Sequence, residues 1–369
     1  MAKHELYLKI NGNDYQYMKH SLRILSPLSI LALFTASFTL VAEQTQTKGE
    51  RAVPAIVSPL ASKSLLTDIT KVGDKLVAVG ERGHIIYSTD GLSWNQAQVP
   101  TNVLLTSVSF ANDSTGFVTG HDATLLKTVD GGLSWQVVNY QPELDKPLLD
   151  VSANGPSVVA VGAYGLFWQS NDGGQSWQSE FHDELLIEDD RLFLEEIKEF
   201  EPENYDKERQ FLLPHFNNIN IAEHTWYMAG EAGFLAKSEN QGKDWQRVDT
   251  DYIGSYFSLI RDNQGTKVLA GLRGNVFVSS SDDDWQAVSM PAPATINNAI
   301  ATKHGVYLFA NSGNLFKLAP NGHVQHTLLA DGKAVMSGVW FNDQLVLATE
   351  SGIKPVSLVA DAKQYEATK

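Results

Sequence analysis

The sequence predicts an all-β chain folded as a seven-bladed β-propeller, closed by an N-terminal strand and carrying one acidic helical insertion between blades 3 and 4. Three observations lead there. A short apolar run ending in a glycine-containing turn recurs seven times at a period near forty residues; a second turn motif with Asp, Gly and Trp follows several copies; and the 369 residues combine 28 Gly and 8 Trp with only 19% charged residues. Short strands and tight turns have that composition, and a period of about forty residues is that of a propeller blade.

The apolar run first appears as Leu76-Val77-Ala78-Val79-Gly80-Glu81-Arg82-Gly83, and its first turn residue recurs at positions 80, 120, 162, 230, 271, 310 and 349. The single long spacing, from 162 to 230, is one blade plus an insertion. In blade 1 the pattern predicts strands at Leu65–Val72, Lys75–Val79 and His84–Thr89, with an outer strand from Trp94. The chain after Gly352 leaves room for only one more strand, Ile353–Leu358. The missing outer strand of blade 7 is therefore expected from Ala52–Val57, which would remove the open edge. The propeller is expected over 52–359, followed by a polar tail at 360–369.

The second motif reads Thr128-Val129-Asp130-Gly131-Gly132-Leu133-Ser134-Trp135 in blade 2 and Ser170-Asn171-Asp172-Gly173-Gly174-Gln175-Ser176-Trp177 in blade 3. Blade 1 has a copy one residue shorter, Ser88 to Trp94 with Asp90. Blade 4 has Asn240 in place of Asp before Trp245, and the copy ending at Trp285 in blade 5 is degenerate. These are Asp boxes. The carboxylate can accept backbone N–H groups within its own turn, glycines take left-handed positions, and the Trp packs between blades. Asp90, Trp94, Asp130, Trp135, Asp172, Trp177, Trp245 and Trp285 are thus expected to be structural. The run Asp282-Asp283-Asp284 is expected to form a solvated acidic turn.

Gly80-Glu81-Arg82-Gly83-His84-Ile85-Ile86-Tyr87-Ser88-Thr89-Asp90-Gly91 and its echoes resemble the photosystem II stability/assembly factor family of BNR-repeat propellers, over roughly residues 52 to 358. The resemblance implies an exported, non-enzymatic, seven-bladed protein that binds a protein client; related propellers also occur in bacteria without photosynthesis, where the partner is often an envelope protein or a transporter. Family members that act in photosynthesis carry a stripe of arginines on one face, whereas only Arg82 and Arg273 occupy the corresponding turns here. The implied partner is a membrane or envelope protein, with no nucleic acid, no small-molecule ligand and no cofactor, and a monomeric state.

Strand direction alternates, so the turns between second and third strands emerge on one face with the connections between blades, and the Asp boxes on the other. The first face collects the variable residues. Glu81, Arg82, His121, Asp122, Tyr164, Glu231, Arg273 and Glu350 are the candidate partner-binding positions. The insertion, 182–213, joins that face; it holds twelve acids against Arg191, Lys198, Lys207 and Arg209. Leu186, Phe193, Ile197 and Phe200 recur there at helical spacing, and Pro202 ends the pattern. Such a helix either seals a groove on the ring or is offered to a partner, and Phe193, Ile197 and Phe200 join the candidates.

Residues 24–42 carry no charge and follow Lys19, His20 and Arg23, the organisation of an export signal, with Met18 as the expected start and 43–51 as a linker. Export to a periplasm or a thylakoid-lumen-like space is expected; an uncleaved anchor is the alternative. A formal charge of −15 argues against a nucleic-acid backbone as partner. The absence of cysteine excludes disulfides, thiolate metal sites and Cys nucleophiles in this sequence. A glycosidase or carbohydrate-binding propeller is the alternative class. A sialidase needs clustered arginines, and the seven after residue 42 do not recur at matching blade positions. A carbohydrate binder would need exposed aromatics around Tyr164 and Trp168. His323 and His326 lack a third ligand, so no metal site and no catalytic residue is expected.

Overall fold

In the computed structural model the residues described are 52–222, 225–281, 283–357 and, for the backbone alone, 362–365. The expected export signal and linker lie outside them. Blade 1 comprises β1 (Leu66–Val72), β2 (Lys75–Gly80), β3 (Ile85–Ser88) and β4 (Asn95–Gln96). Blade 2 has β5 (Leu105–Phe110), β6 (Gly116–Gly120), β7 (Thr124–Thr128) and β8 (Gln136–Asn139). Blade 3 has β9 (Leu148–Asn154), β10 (Ser157–Gly162), β11 (Phe167–Ser170) and β12 (Gln178–Ser179). After helices α1 (Glu188–Phe200) and α2 (Tyr205–Arg209) come β13 (Phe216–Asn220), β14 (Trp226–Gly230), β15 (Leu235–Ser238) and β16 (Gln246–Arg247) of blade 4. Blade 5 has β17 (Tyr256–Arg261), β18 (Lys267–Gly271), β19 (Val276–Ser279) and β20 (Gln286–Ala287). Blade 6 has β21 (Ile296–Thr302), β22 (Gly305–Ala310), β23 (Asn314–Leu318) and β24 (Val324–Leu329). Blade 7 has β25 (Val335–Phe341), β26 (Gln344–Thr349) and β27 (Gly352–Val356); a last strand, β28 (Ala362–Tyr365), follows. The seven antiparallel sheets and the helical insertion are those the repeat predicted.

The second strand of each blade is buried almost end to end, which is why it reads as an unbroken apolar run such as Leu76-Val77-Ala78-Val79. Both of its faces meet a neighbouring blade. The apolar core accordingly divides into seven clusters, one for each seam between adjacent blades. The seam that joins the ends of the ring packs Leu66, Ile69, Leu76 and Ala78 of blade 1 against Phe341, Val346 and Ala348 of blade 7.

The ring is not closed by the expected N-terminal strand. Residues 52–57 form no strand, and Ala55 N–H donates to Val99 O (3.1 Å) beside the outer edge of blade 1 rather than blade 7. Gln96 fixes this segment at two further points, accepting from Ser58 N–H (2.8 Å) and donating to Ile56 O (3.1 Å). Pro54 has no N–H to give a ladder, which accounts for the lack of a regular strand. Blade 7 keeps three strands, and closure rests on the apolar seam. Within the expected polar tail, β28 instead pairs with β24 and gives blade 6 a fifth strand. Blade 6 has lost its Asp box; its third and fourth strands form a regular hairpin, long enough to receive that partner.

Around the axis the innermost strands hold one another through a belt of polar side chains, one from every blade: Asp68, Ser107, Asp150, Asn218, Ser258, Asn298 and Ser337. Ser107 Oγ lies 2.7 Å from Asp150 Oδ1 and 3.3 Å from Asp68 Oδ2. Asn218 Nδ2 donates to Asp150 (2.7 Å), and Asn218 Oδ1 accepts Leu259 N–H (2.8 Å). Ser258 reaches Asn298 (3.4 Å), Asn298 reaches Ser337 (3.2 Å), and Ser337 donates back to Asp68 (2.7 Å). In all seven blades a register irregularity in the inner pair immediately precedes this position, turning the belt residue toward the next blade.

Burial pushes the carboxyls of Asp68 and Asp150 upward against the hydrogen bonds they accept, Asp150 to about 6, with Asp68 adding to the rise. A carboxyl whose folded pKa exceeds its ordinary 3.8 holds a proton that the unfolded chain has released. Its contribution to stability is complete below about pH 4 and is lost as pH rises through about 6. Asp150→Asn reproduces the protonated form and lets its amide donate to Ser107. The melting temperature of this variant relative to wild type should rise by several degrees between about pH 4 and pH 7, measured by thermal scans in matched buffers. A flat difference would remove Asp150 as the titrating group.

Candidate functional site

The turns between second and third strands share one geometry. Their middle residue has left-handed backbone at Arg82 (φ 57°), Asp122 (58°), Tyr164 (53°), Ala232 (52°), Arg273 (58°) and Ser312 (57°), so each presents one side chain outward on the same face. In every one of these turns except that of blade 2, which has Ala123, the residue that follows is a glycine, and it lets the turn touch the incoming connection of the next blade. At Gly83 (φ 69°) a Cβ would clash with Thr101 O, while its N–H donates to Val103 O (2.8 Å).

At the seam of blades 7 and 1 this face opens into a groove of about 680 Å³. Glu81, Arg82 and Glu350 line one side; Ile56, Val57 and Leu60 line the other and are 82, 78 and 58% exposed. His84 forms part of its floor. It is buried, its Nδ1 has no hydrogen-bond partner, and burial lowers its pKa against the opposing pull of Glu81. A buried ring nitrogen without a partner is an unmade hydrogen bond. Sequence reasoning found Glu81, Arg82 and Glu350 but missed His84 and the apolar N-terminal segment. The available signal was that His84 follows the turn glycine where blades 3 and 4 place Leu166 and Phe234.

The remaining candidates lie elsewhere. His121 and Asp122 occupy the blade 2 turn, and Arg273 the blade 5 turn, each away from this groove. Tyr164 meets Phe211 edge-on (centroids 5.4 Å) and His215 (4.5 Å), and Glu231 lies 3.5 Å from His215. The buried Lys146 runs beneath this group, 4.4 Å from the Phe211 ring, and donates to Gln210 O (2.6 Å). These contacts, with Gly165 N–H to Pro214 O (3.1 Å), fasten the end of the insertion to the blade 3 turn. At its start, Leu185 is fully buried and its carbonyl accepts from Arg247 (2.9 Å).

Between those anchors the residue that α1 buries lies outside the apolar stripe read from the helical spacing. Leu194 is the buried residue of α1, whereas Phe193 and Phe200 are 40 and 71% exposed and Ile197 is half-buried. The apolar residues were too numerous for one stripe, and the short α2 after Pro202 folds back on α1. Trp168 packs into the seam of blades 2 and 3, so it forms no exposed aromatic platform with Tyr164. His326 stacks on Phe316 and bonds Asn314 (2.8 Å) within β24, and the described residues contain no group of three or more potential metal ligands.

On the opposite face the boxes adopt the turn geometry that their residues suggested. Asp90 accepts from the amides of Ser93 (2.7 Å) and Leu92 (2.8 Å), which hold its carboxyl down at about 2. Asp130 and Asp172 accept the equivalent amides and the hydroxyls of Ser134 and Ser176. Trp135 and Trp245 are buried and donate to Gly132 O (3.2 Å) and Gly242 O (3.0 Å); Trp94, Trp177 and Trp285 pack in their seams. The acidic run differs from expectation: Asp283 is nearly buried and bonded to Lys237 and Lys267. Asp282 lies outside the described residues.

With fold and site in view, residues 79–191 match the family described as photosynthesis system II assembly factor YCF48. The chain resembles these assembly factors. It is 25% identical over 188 residues to the photosystem II assembly lipoprotein Ycf48 of Synechococcus sp., covering 50% of this chain and 49% of that one. Identity is also 25% over 231 residues to the protein of the same name from Trichormus variabilis, covering 62% and 61%. The chain thus matches about half to three-fifths of the length of these relatives. Among solved structures, YCF48 bound to a D1 peptide superposes with a TM-score of 0.59 over 86% of this chain and 100% of that one, at 17% identity. At that identity the likeness is one of fold.

Leu194→Ala should loosen the insertion: a buried leucine truncation costs about 2–5 kcal/mol, so amide exchange in α1 should accelerate more than tenfold while the blades keep their protection. Phe200→Ala should leave exchange within twofold. Hydrogen-exchange mass spectrometry distinguishes the two, and equal effects would mean that Leu194 does not anchor the helix.

Proposed function

We propose that the protein is an exported, non-catalytic propeller that binds a protein client during assembly or stabilisation of a membrane or envelope complex. The observation that carries this reading is the groove at the seam of blades 7 and 1. It joins exposed apolar residues, charges of both signs and an unsatisfied buried His84 nitrogen on the face that displays the variable turns. Apolar anchoring with a polar rim suits a peptide segment. The printed description of a structural relative as bound to a D1 peptide supports the same class of partner. The sparse arginines argue for a client other than D1, and the exposed Phe193 and Phe200 supply a second contact area. Among the described residues no helix is long and apolar enough to cross a membrane. The proposed export therefore rests on residues 19–42 and on the relatives' description as lipoproteins.

Affinity capture from native membranes with the chain from residue 43 onward tests the reading. One membrane complex should be enriched by wild type. Its recovery should fall at least tenfold with Arg82→Glu combined with Val57→Asp, and fall less when residues 182–213 are deleted. Leu92→Ser, on the Asp-box face, should capture as wild type does. Enrichment of no membrane protein by a folded bait, or equal loss from both faces, would overturn the proposal.

A further inference from the structure

One of the seven seams lacks the indole that the other six contain. All eight tryptophans of the chain lie in those six apolar clusters. Each box Trp enters the seam with the preceding blade: Trp94 between blades 7 and 1, Trp135 between 1 and 2, Trp177 between 2 and 3, Trp245 between 3 and 4, and Trp285 between 4 and 5. The seam of blades 6 and 7 has no box but receives Trp340, stacked on Tyr307 (centroids 6.0 Å). The seam of blades 5 and 6 is left with aliphatic residues around Phe316.

Strand register shows what stands in the place of the missing Trp. Leu318 pairs with Val306 as Thr128 pairs with Gly116 and Ser279 with Lys267. Trp135 and Trp285 lie opposite Thr128 and Ser279, one step beyond the Lys127–Gln136 and Val278–Gln286 pairs. In blade 6 the residue opposite Leu318 is Val324. A valine fills only part of the space of an indole, and unfilled space persists where the surrounding sheets cannot close on it. Beside Val324 a cavity of about 200 Å³ opens on the box face, walled by Val268, Val278 and Val288 of blade 5 and Val306 and Leu318 of blade 6. In the seam of blades 1 and 2 the equivalents of Val268 and Val288 are Val77 and Ala97, and both share a cluster with Trp135.

We propose that this cavity is a binding site for a small planar aromatic molecule of indole size, which takes the place that a box tryptophan fills elsewhere in the ring. A cavity of about 150 Å³ lined by aliphatic side chains accepts benzene, so the space here admits a second ring. Its mouth is framed before any ligand arrives. Asp262 accepts the N–H groups of Gln264 and Thr266 (both 2.8 Å), while Thr302 accepts His304 N–H (3.0 Å) and donates to Gly305 O (2.9 Å). The exposed Gln264 in that mouth offers a carbonyl to a ring N–H, as Gly132 O and Gly242 O do to Trp135 and Trp245. The cavity lies on the face away from the proposed client groove and stands independently of the client reading.

Indole and, as a non-planar comparison, cyclohexanol are titrated into the chain from residue 43 onward, and binding is followed by calorimetry and thermal unfolding. Indole should give a saturable heat and raise the melting temperature, with cyclohexanol at least tenfold weaker. Val324→Trp, which supplies the box residue, and Val288→Phe, which fills the cavity from its wall, should each weaken indole binding at least tenfold. Leu92→Ser, on the same face at blade 1, should leave it unchanged. Either filled variant serves if the other fails to fold. No saturable heat with indole, equal affinity for cyclohexanol, or unchanged indole affinity in the folded filled variants would overturn the proposal.

Discussion

Seven separate sheets can form one rigid ring only if each fixes the angle of the next, and the polar belt around the axis supplies that constraint where the blades are closest. Apolar seams tolerate small slides because dispersion contacts are weakly directional. Hydrogen bonds from Asp68 through Ser107, Asp150, Asn218, Ser258, Asn298 and Ser337 do not. The strand irregularity beside these residues is what aims each side chain sideways rather than along its own sheet. A fault at any of these positions except Ser258 is felt by two seams, because the other members bond neighbours on both sides or meet the next blade's backbone.

The same constraint explains how the ring closes without a shared strand. Ser337 to Asp68 is the belt bond that spans residues 269 apart in sequence, and it lies beside the apolar seam of Leu66, Ile69, Phe341 and Val346. With those contacts made, a fourth strand on blade 7 is not required to hold the ends. The N-terminal segment is consequently available to lie along blade 1, where its exposed Ile56 and Val57 become a wall of the groove. Closure by seam rather than by strand is thus what creates the candidate site.

Much of this was legible because propeller strands are short, local and repetitive. The run Leu76-Val77-Ala78-Val79 and its echoes located every blade, and the hydroxyl–Asp–Gly–Trp spacing located the boxes, since both depend on residues near in sequence. What was not legible depends on long-range choice. Nothing in residues 52–57 distinguishes the edge of blade 1 from that of blade 7, and the polar composition of 360–369 conceals a strand whose partner is β24. Leu194 was missed for the same reason: the apolar excess on α1 allows two faces, and the choice between them depends on packing distant in sequence. His84 stands where blades 3 and 4 have Leu166 and Phe234 and blades 5 and 6 have Asn275 and Asn314, and its missing partner is a property of the packed structure.

The two faces differ in how freely their side chains can change. On the box face the Asp, Gly and Trp serve the turn itself, so each substitution there alters backbone hydrogen bonds. On the other face the left-handed residue of most turns contributes little to the turn beyond its backbone, so Arg82, Asp122, Ala232, Arg273 and Ser312 can differ without cost to the ring, whereas Tyr164 is tied to the insertion through Phe211 and His215. A scaffold with one constrained and one free face can acquire a client-specific surface without refolding. Blade 5 shows the exception on the constrained face: its box lacks the glycine pattern, and Asp283 binds Lys237 and Lys267, whereas at the intact boxes of blades 2 and 3 a lysine binds the turn carbonyls.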